Sequence, residues 1–387
     1  MRVSSPPLAT ALPPDSSPLS LREKWLLFRN ERIASARFQR WAAGFFFTRW
    51  IARRKARSVF DLVAGFVYSQ TLSACLRLNL FEILARRPLS LAVLAPRLGL
   101  TEAAAATLVK AAAALGLAQR LPDGRYGLGE LGAALRGNPS LAAMIDHHSM
   151  LYADLADPVA LLRGEIDEPK LASFWAYARN PDPASTTAER VRDYSALMAK
   201  SQAMVAGEIL EAYPLHRHRV LLDVGGGEGA FLAAAGQRHA QLGLRLFDLP
   251  AVAQRAAARF ESAGIQERAQ IFAGDFFRDS LPRGADVVSL VRVLHDHDDQ
   301  FASALLRRAH AALPRGGVVL VGEPMSGTPG AEPVGDAYFG LYLAAMGSGR
   351  PRTPAEIAGL LRQAGFRRPK IVPTHTPLVV QVMFAIA

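Results

Sequence analysis

The sequence predicts an α/β protein. A Rossmann-like, doubly wound parallel sheet is expected over 206–387. A helical, winged-helix-like region over 58–205 and a basic, aromatic-rich arm over 1–57 precede it. Three observations carry this reading. From 219 onward, short runs rich in Val, Leu and Ile alternate with helical segments, the pattern of strands covered on both faces by crossover helices. The first run ends in LLDVGGGEG (221–229), a glycine turn between strand and helix. Further upstream, two short helices precede Asp123-Gly124 set between strand-like pieces, which reads as helix, turn, helix and hairpin.

Composition sets the outer bounds. Of 387 residues 50 % are apolar and 20 % charged, so the chain can bury a sizeable core and global disorder is excluded. The single cysteine, Cys75, excludes an internal disulfide and a cysteine-cluster metal site. The net charge of +11 is concentrated: 22–57 holds eleven basic residues against Glu23 and Glu31, leaving the rest near neutrality. There is no secretory h-region and no uninterrupted apolar run of about 18 residues, so neither a signal peptide nor a transmembrane helix is expected. A cytoplasmic protein with peripheral contact to the inner membrane is the expectation.

Element by element, 1–20 carries five prolines and five serines and reads as disordered. The arm at 22–57 mixes Trp25, Trp41 and Trp50 with five phenylalanines and the basic residues. Phe38, Trp41 and Phe45 share one helical face, and Arg49, Arg53 and Arg57 another. Such a helix can lie in a membrane interface or pack on a partner subunit. The segments 89–100 and 102–120 form the two short helices. The second is mostly alanine and lacks base-reading side chains, so no nucleic-acid partner is expected. Over 136–205, Phe174, Trp175, Tyr177, Tyr194, Met198 and Met204 suit a bulky apolar ligand, with breaks at Asp157-Pro158, Pro169, Pro181 and Pro183. Strands follow at 219–224, 244–248, 269–274, 285–293 and 317–322. A helix over 299–313 precedes the fifth, and 378–387 forms a last strand.

The chemistry gathers at the carboxyl ends of those strands, where open α/β sheets bind ligands. Gly225 and Gly227 let backbone approach a ligand, although with Ala230 they also fit the dinucleotide pattern G-x-G-x-x-A. Asp223, Asp248 and Asp275 stand at three successive strand ends, with Phe276 placed to cover a ring. Three acids and no Lys or Arg in the turn favour a cationic adenosyl ligand over a diphosphate. Asp248 is placed for ribose hydroxyls and Asp275 for an adenine amino group. His295 follows the fourth strand, where an imidazole can take a hydroxyl proton, and Glu323 after the fifth strand can orient it. The contiguous run His295, Asp296, His297, Asp298, Asp299 also raises a metal site, but adjacent side chains diverge and Asp298 and Asp299 suit a helix N-cap. No metal is expected.

Together, LLDVGGGEG, FDLP, GDFF, LHDHDD, LPRGGVVLVGEP and GRPRTPAEIAGLLRQAGF resemble the S-adenosylmethionine-dependent O-methyltransferases that include plant phenolic and bacterial small-molecule enzymes. The resemblance implies S-adenosyl-L-methionine as cofactor and a homodimer intertwined through the N-terminal helices, which help close a pocket for a hydrophobic small molecule. It implies His295 as general base supported by Glu323, with Asp248 on the ribose and Asp275 and Phe276 at the adenine. Val291 stands where many relatives have lysine or serine, and Arg292 takes part of that job in holding the cofactor. Pro351 stands where many carry a second glutamate, so fewer carboxylates position the base. The arm RFQRWAAGFFFTRWIARRKARSVFDLVAGFVYSQ is similar to the carotenoid branch, the hydroxyneurosporene (demethylspheroidene) enzymes that methylate a tertiary hydroxyl at carbon 1. A phenolic polyketide or tetrapyrrole acceptor, and an S-adenosylmethionine-sensing winged-helix regulator, are the alternatives.

Overall fold

The computed structural model describes residues 18–175, 198 and 202–387. The expected disorder at 1–17 and the positions Tyr177, Pro181, Pro183 and Tyr194 lie outside the described residues. The chain divides into two units between Ala74 and Cys75.

The first unit is helical. Helix α1 (Leu21–Ala34) opens on a capping box: Ser20 Oγ accepts from the Glu23 amide while the Glu23 carboxylate accepts from the Ser20 amide. Helix α2 (Ala36–Gly44) carries an aromatic ladder, with Phe38 5.6 Å from Trp41 and Trp41 stacked 5.1 Å from Phe45. Helix α3 (Arg49–Arg77) runs on from it. Although no uninterrupted apolar run marks it, α3 is long and apolar enough to cross a membrane by length and composition alone, and 6 % of the qualifying stretch is buried. The scattered charges that break the apolar run leave its average high.

In the second unit, helices Leu91–Leu98 and Glu102–Ala114 are followed by β1 (Ala118–Arg120) and β2 (Tyr126–Leu128), an antiparallel pair around Asp123-Gly124, as the turn signal indicates. Thr101 caps the second helix through its hydroxyl. The main sheet has seven strands: β3 (Val220–Val224), β4 (Gly243–Asp248), β5 (Ala269–Ala273), β6 (Val287–Val291), β7 (Val318–Glu323), β8 (Arg367–Val372) and β9 (Gln381–Ile386). Their spatial order is β5-β4-β3-β6-β7-β9-β8. β3 to β7 are parallel, whereas β9 pairs antiparallel with β7 and β8 with β9. Alternating residues feed two cores. Leu222, Val288 and Val319 pack beneath Leu305 and Leu361, while Leu221, Val287 and Leu320 meet Ile209 and Phe231 on the other face. β8 was not foreseen. It reads RRPKIV and is mostly exposed, an edge strand without the apolar run that marks the others.

Candidate active site

The chain runs outward from β3 through β4 to β5 and returns to β6 on the far side of β3. This reversal opens a crevice at the carboxyl ends of β3 and β6. Gly225 and Gly227 there have φ of +69° and +62°, which side chains rarely adopt. A Cβ built on Gly227 would meet nothing within 4 Å, so the turn offers bare backbone to a ligand. Asp248 ends β4, and its carboxylate accepts from the Gly227 and Leu249 amides, both at 2.7 Å. Asp275, two residues past β5, accepts from the Phe277 amide at 2.8 Å. Phe276 lies 3.7 Å from where a Gly225 Cβ would stand. The turn, both acids and the ring therefore meet at one edge. Asp223 is placed differently. It lies inside β3 opposite Ser289 of β6, whose hydroxyl donates to it at 2.5 Å, and its other oxygen is buried without a hydrogen-bond partner, packed against Gly226.

Burial pushes the Asp248 carboxyl up to about 7 against the two amides that favour its charge. Burial, opposed by Ser289, pushes Asp223 up to about 7 as well. The open glycine backbone beside the Asp248 and Asp275 carboxylates suits a cationic adenosyl group. An acid whose folded pKa exceeds its unfolded value binds an extra proton on folding, so stability falls as pH rises from about 4 to about 7. Thermal unfolding of the cofactor-free protein should therefore show its midpoint falling across that range, and Asp248→Asn should flatten the slope.

His295 sits on a short turn, Leu294–Asp296, just after β6. His295 Nδ1 hydrogen-bonds the Glu323 carboxylate at the end of β7. The other Glu323 oxygen accepts from the Val293 and Leu294 amides at 3.0 and 2.7 Å, so one buried carboxylate orders both the ring and the turn carrying it. His295 Nε2 lies 3.1 Å from Asp296 Oδ1. Pro351 therefore does not leave the ring with one carboxylate, because Asp296 supplies a second from within the turn. Burial opposes charge on the ring, but Glu323 and Asp296 outweigh it and hold the imidazole above its ordinary 6.5. Arg292 adopts φ +57°, costly for a side chain of its size, and stands in the pocket wall beside His295 rather than at the glycine turn.

That pocket encloses about 510 Å³ of empty space, counting the part open to solvent. Trp175, Met198, Phe339, Tyr342 and Met346 line it beside His295. The sequence signals Trp175 and Met198; Phe174 packs tilted against His147 with ring centroids 4.5 Å apart, and Met204 instead accepts from Asn138 at 3.2 Å. The wall formed by Pro333–Tyr338 and Phe339–Met346 was missed, as were His147 and His148. Its signal was Tyr338, Tyr342 and Met346 at four-residue spacing. Tyr342 accepts from Trp175 Nε1 at 3.0 Å and pairs with His147 at 2.9 Å, while Tyr338 pairs with His148 at 2.8 Å. Burial pushes His147 down to about 4, so it serves as a neutral partner. Asp298 is an N-cap by position, but its carboxylate accepts from the Gly349 amide, not from its own helix. Among the described residues no three His, Cys, Asp or Glu side chains converge on a metal position.

The O-methyltransferase domain family matches 152–367, and the O-methyltransferase dimerisation domain matches 60–137. Demethylspheroidene O-methyltransferase of Cereibacter sphaeroides is 45 % identical over 352 residues, 91 % of this chain and 92 % of that one. The enzyme of the same name from Rhodobacter capsulatus is 42 % identical over 338 residues, 87 % and 83 % of the two chains. The crystal structure of human N-acetylserotonin methyltransferase in complex with SAM shares the fold. Its TM-score is 0.71 at 24 % identity, covering 86 % of this chain and 97 % of that one.

Proposed function

The chain belongs to the S-adenosylmethionine-dependent O-methyltransferase family, and on that premise we propose that it methylates the tertiary carbon-1 hydroxyl of an acyclic carotenoid of the 1-hydroxyneurosporene or demethylspheroidene type. It is an S-adenosylmethionine-dependent enzyme, and its dimerisation domain supports a homodimer. The observation that carries the acceptor is the aromatic and methionine-lined pocket at His295, in a chain 45 % identical to a demethylspheroidene O-methyltransferase. A hydrocarbon with one hydroxyl needs apolar walls and a single polar end. The polyketide, tetrapyrrole and regulator readings have no comparable support.

Gly225, Gly227, Asp248, Asp275 and Phe276 would hold the cofactor, with Asp223 bracing the turn. S-adenosylmethionine supplies an electrophilic sulfonium methyl. The pocket walls orient the acceptor oxygen toward His295 and exclude water. A tertiary alcohol is too weak an acid to ionise beforehand, so His295 takes its proton as the methyl–oxygen bond forms and the methyl–sulfur bond breaks, S-adenosylhomocysteine being the leaving group. Glu323 stabilises the charged ring, and Asp296 gives way at Nε2 to the acceptor oxygen. The base must be neutral to act, so kcat/KM should rise with pH along a limb centred above 6.5, the direction set by Glu323 and Asp296. A limb below 6.5 would contradict this assignment. Labelled S-adenosylmethionine incubated with 1-hydroxyneurosporene and, separately, a catechol tests the acceptor: transfer to the carotenoid is expected, and transfer to the catechol alone would overturn it.

The arm is assigned to an anionic membrane surface on the cytoplasmic side of the inner membrane. Residues 21–57 precede the dimerisation match, which begins at 60. Trp25, Phe46, Phe47 and Trp50 are 61–72 % exposed. Arg32 and Arg49 cover the rings of Phe28 and Phe46. Exposed aromatics with flanking arginines suit an anionic headgroup layer. Phe60, Leu62 and Phe66, within the match, are assigned to the second copy. Changing Arg53, Arg54 and Lys55 to glutamate should weaken sedimentation with anionic vesicles by about 100-fold or more, at about 1 kcal/mol per basic residue. Equal sedimentation of the wild type with neutral vesicles would contradict the assignment.

A further inference from the structure

We propose that Arg352 is a positioning residue for the base, a guanidinium clamp that sets the His295 turn through its backbone. This rests on His295 being the base. Arg352 is buried, with its side chain 1 % exposed. Its terminal nitrogens donate to the carbonyls of Leu294 and His297, both at 2.6 Å, and Nε donates to Asp299 Oδ1 at 2.8 Å. The two carbonyls bracket His295 and Asp296, so the fork spans the segment that carries the ring. The Arg352 carbonyl accepts from the Ser326 amide at 3.0 Å, just past the strand bearing Glu323. One residue thus ties the exit of β7 to the turn after β6, the two elements whose spacing sets the His295–Glu323 contact.

The residues before it reinforce the strap. Ser348 Oγ donates to the Asp296 carbonyl at 2.9 Å. Gly349, at φ +79°, lies so close that an added Cβ would fall 2.0 Å from the His295 carbonyl oxygen. Thr353 and Glu356 form a capping box on the following helix and fix the chain just beyond Arg352. A buried guanidinium is costly unless its donors are satisfied. Here two of the three bonds go to backbone carbonyls, and the carboxylate partner is half-exposed. A planar fork fits two carbonyls in fixed geometry, whereas lysine offers one rotating ammonium.

The test compares Arg352→Lys, Arg352→Ala and Asp299→Asn with the full-length enzyme. A misplacement of about 1 Å in a reacting group can cost about 100-fold. Arg352→Lys is therefore expected to lower kcat by about 10- to 100-fold, with the affinity for S-adenosylhomocysteine unchanged. The charged groups facing His295 are Glu323, Asp296, Arg292 and His297. Loosening the turn weakens the hold of the first two, so the acid limb of the pH–rate profile should move to lower pH. Millimolar guanidinium should restore part of the kcat of Arg352→Ala. Asp299 is exposed, and Asp299→Asn should show a smaller loss with the same direction of shift, even if Arg352→Ala fails to fold. Full kcat in Arg352→Lys would overturn the proposal, as would an unmoved limb in both Arg352→Lys and Asp299→Asn. If His295→Ala is inactive while Arg352→Lys is not, the clamp alone is wrong; if His295→Ala stays active, the base itself is wrong.

Discussion

His295→Ala is expected to lower kcat by about 10²–10⁴ while leaving cofactor affinity unchanged, the range a positioned general base supplies. The split follows from geometry. Asp248 and Asp275, proposed to hold the cofactor, are held by local backbone amides, Gly227 and Leu249 for one and Phe277 for the other, and none of these bonds involves the ring. Acceptor methylation followed with labelled cofactor, beside calorimetric binding of S-adenosylhomocysteine, checks it. Equal losses in both readouts would show that the substitution disturbed the crevice rather than the proton transfer.

The second large effect belongs to Glu323. This carboxylate is 2 % exposed and accepts from three donors: the Val293 and Leu294 amides and His295 Nδ1. Glu323→Ala strands all three, and each buried unpaired donor costs about 1–3 kcal/mol. A lowered melting temperature is expected along with lost activity. Glu323→Gln is the more informative change, because it keeps an oxygen for the amides and removes the charge. It should fold with near-normal stability, lower kcat by about 10⁴ by analogy with orienting carboxylates elsewhere, and shift the acid limb downward as the ring loses its counter-charge. A Glu323→Gln enzyme with an unmoved limb would mean that the carboxylate acts on the fold alone.

Much of this was legible in the sequence, for identifiable reasons. β6 and β7 are almost wholly apolar, and β3 and β4 are apolar apart from Asp223, Arg245 and the terminal Asp248, the texture of strands buried in a parallel sheet. Gly225 and Gly227 were legible because their positive φ demands glycine, and His295, Glu323 and Asp248 because strand ends fix where a side chain can reach. The illegible parts depend on long-range contacts. Arg352 meets Leu294 and His297 across more than fifty residues, and nothing local marks it as buried. Tyr342 and His147 pair across 195 residues. Asp223 looked like a ligand-facing acid because it precedes the glycines, yet the register places it inside β3 against Ser289. Asp296 was passed over within an acidic run whose members separate to different partners: His295, Gly349 and Arg352. β8 escaped because an exposed edge strand can be as polar as a loop.

Methyl transfer to the tertiary hydroxyl of an acyclic carotenoid is tested by expressing the chain in a carotenoid-producing host that accumulates 1-hydroxy pigments because it lacks such a methyltransferase, and identifying the pigments by mass spectrometry. The wild-type chain is expected to give 1-methoxy carotenoids, and His295→Ala unchanged 1-hydroxy pigments. Unchanged 1-hydroxy pigments in the presence of folded wild-type protein would contradict it.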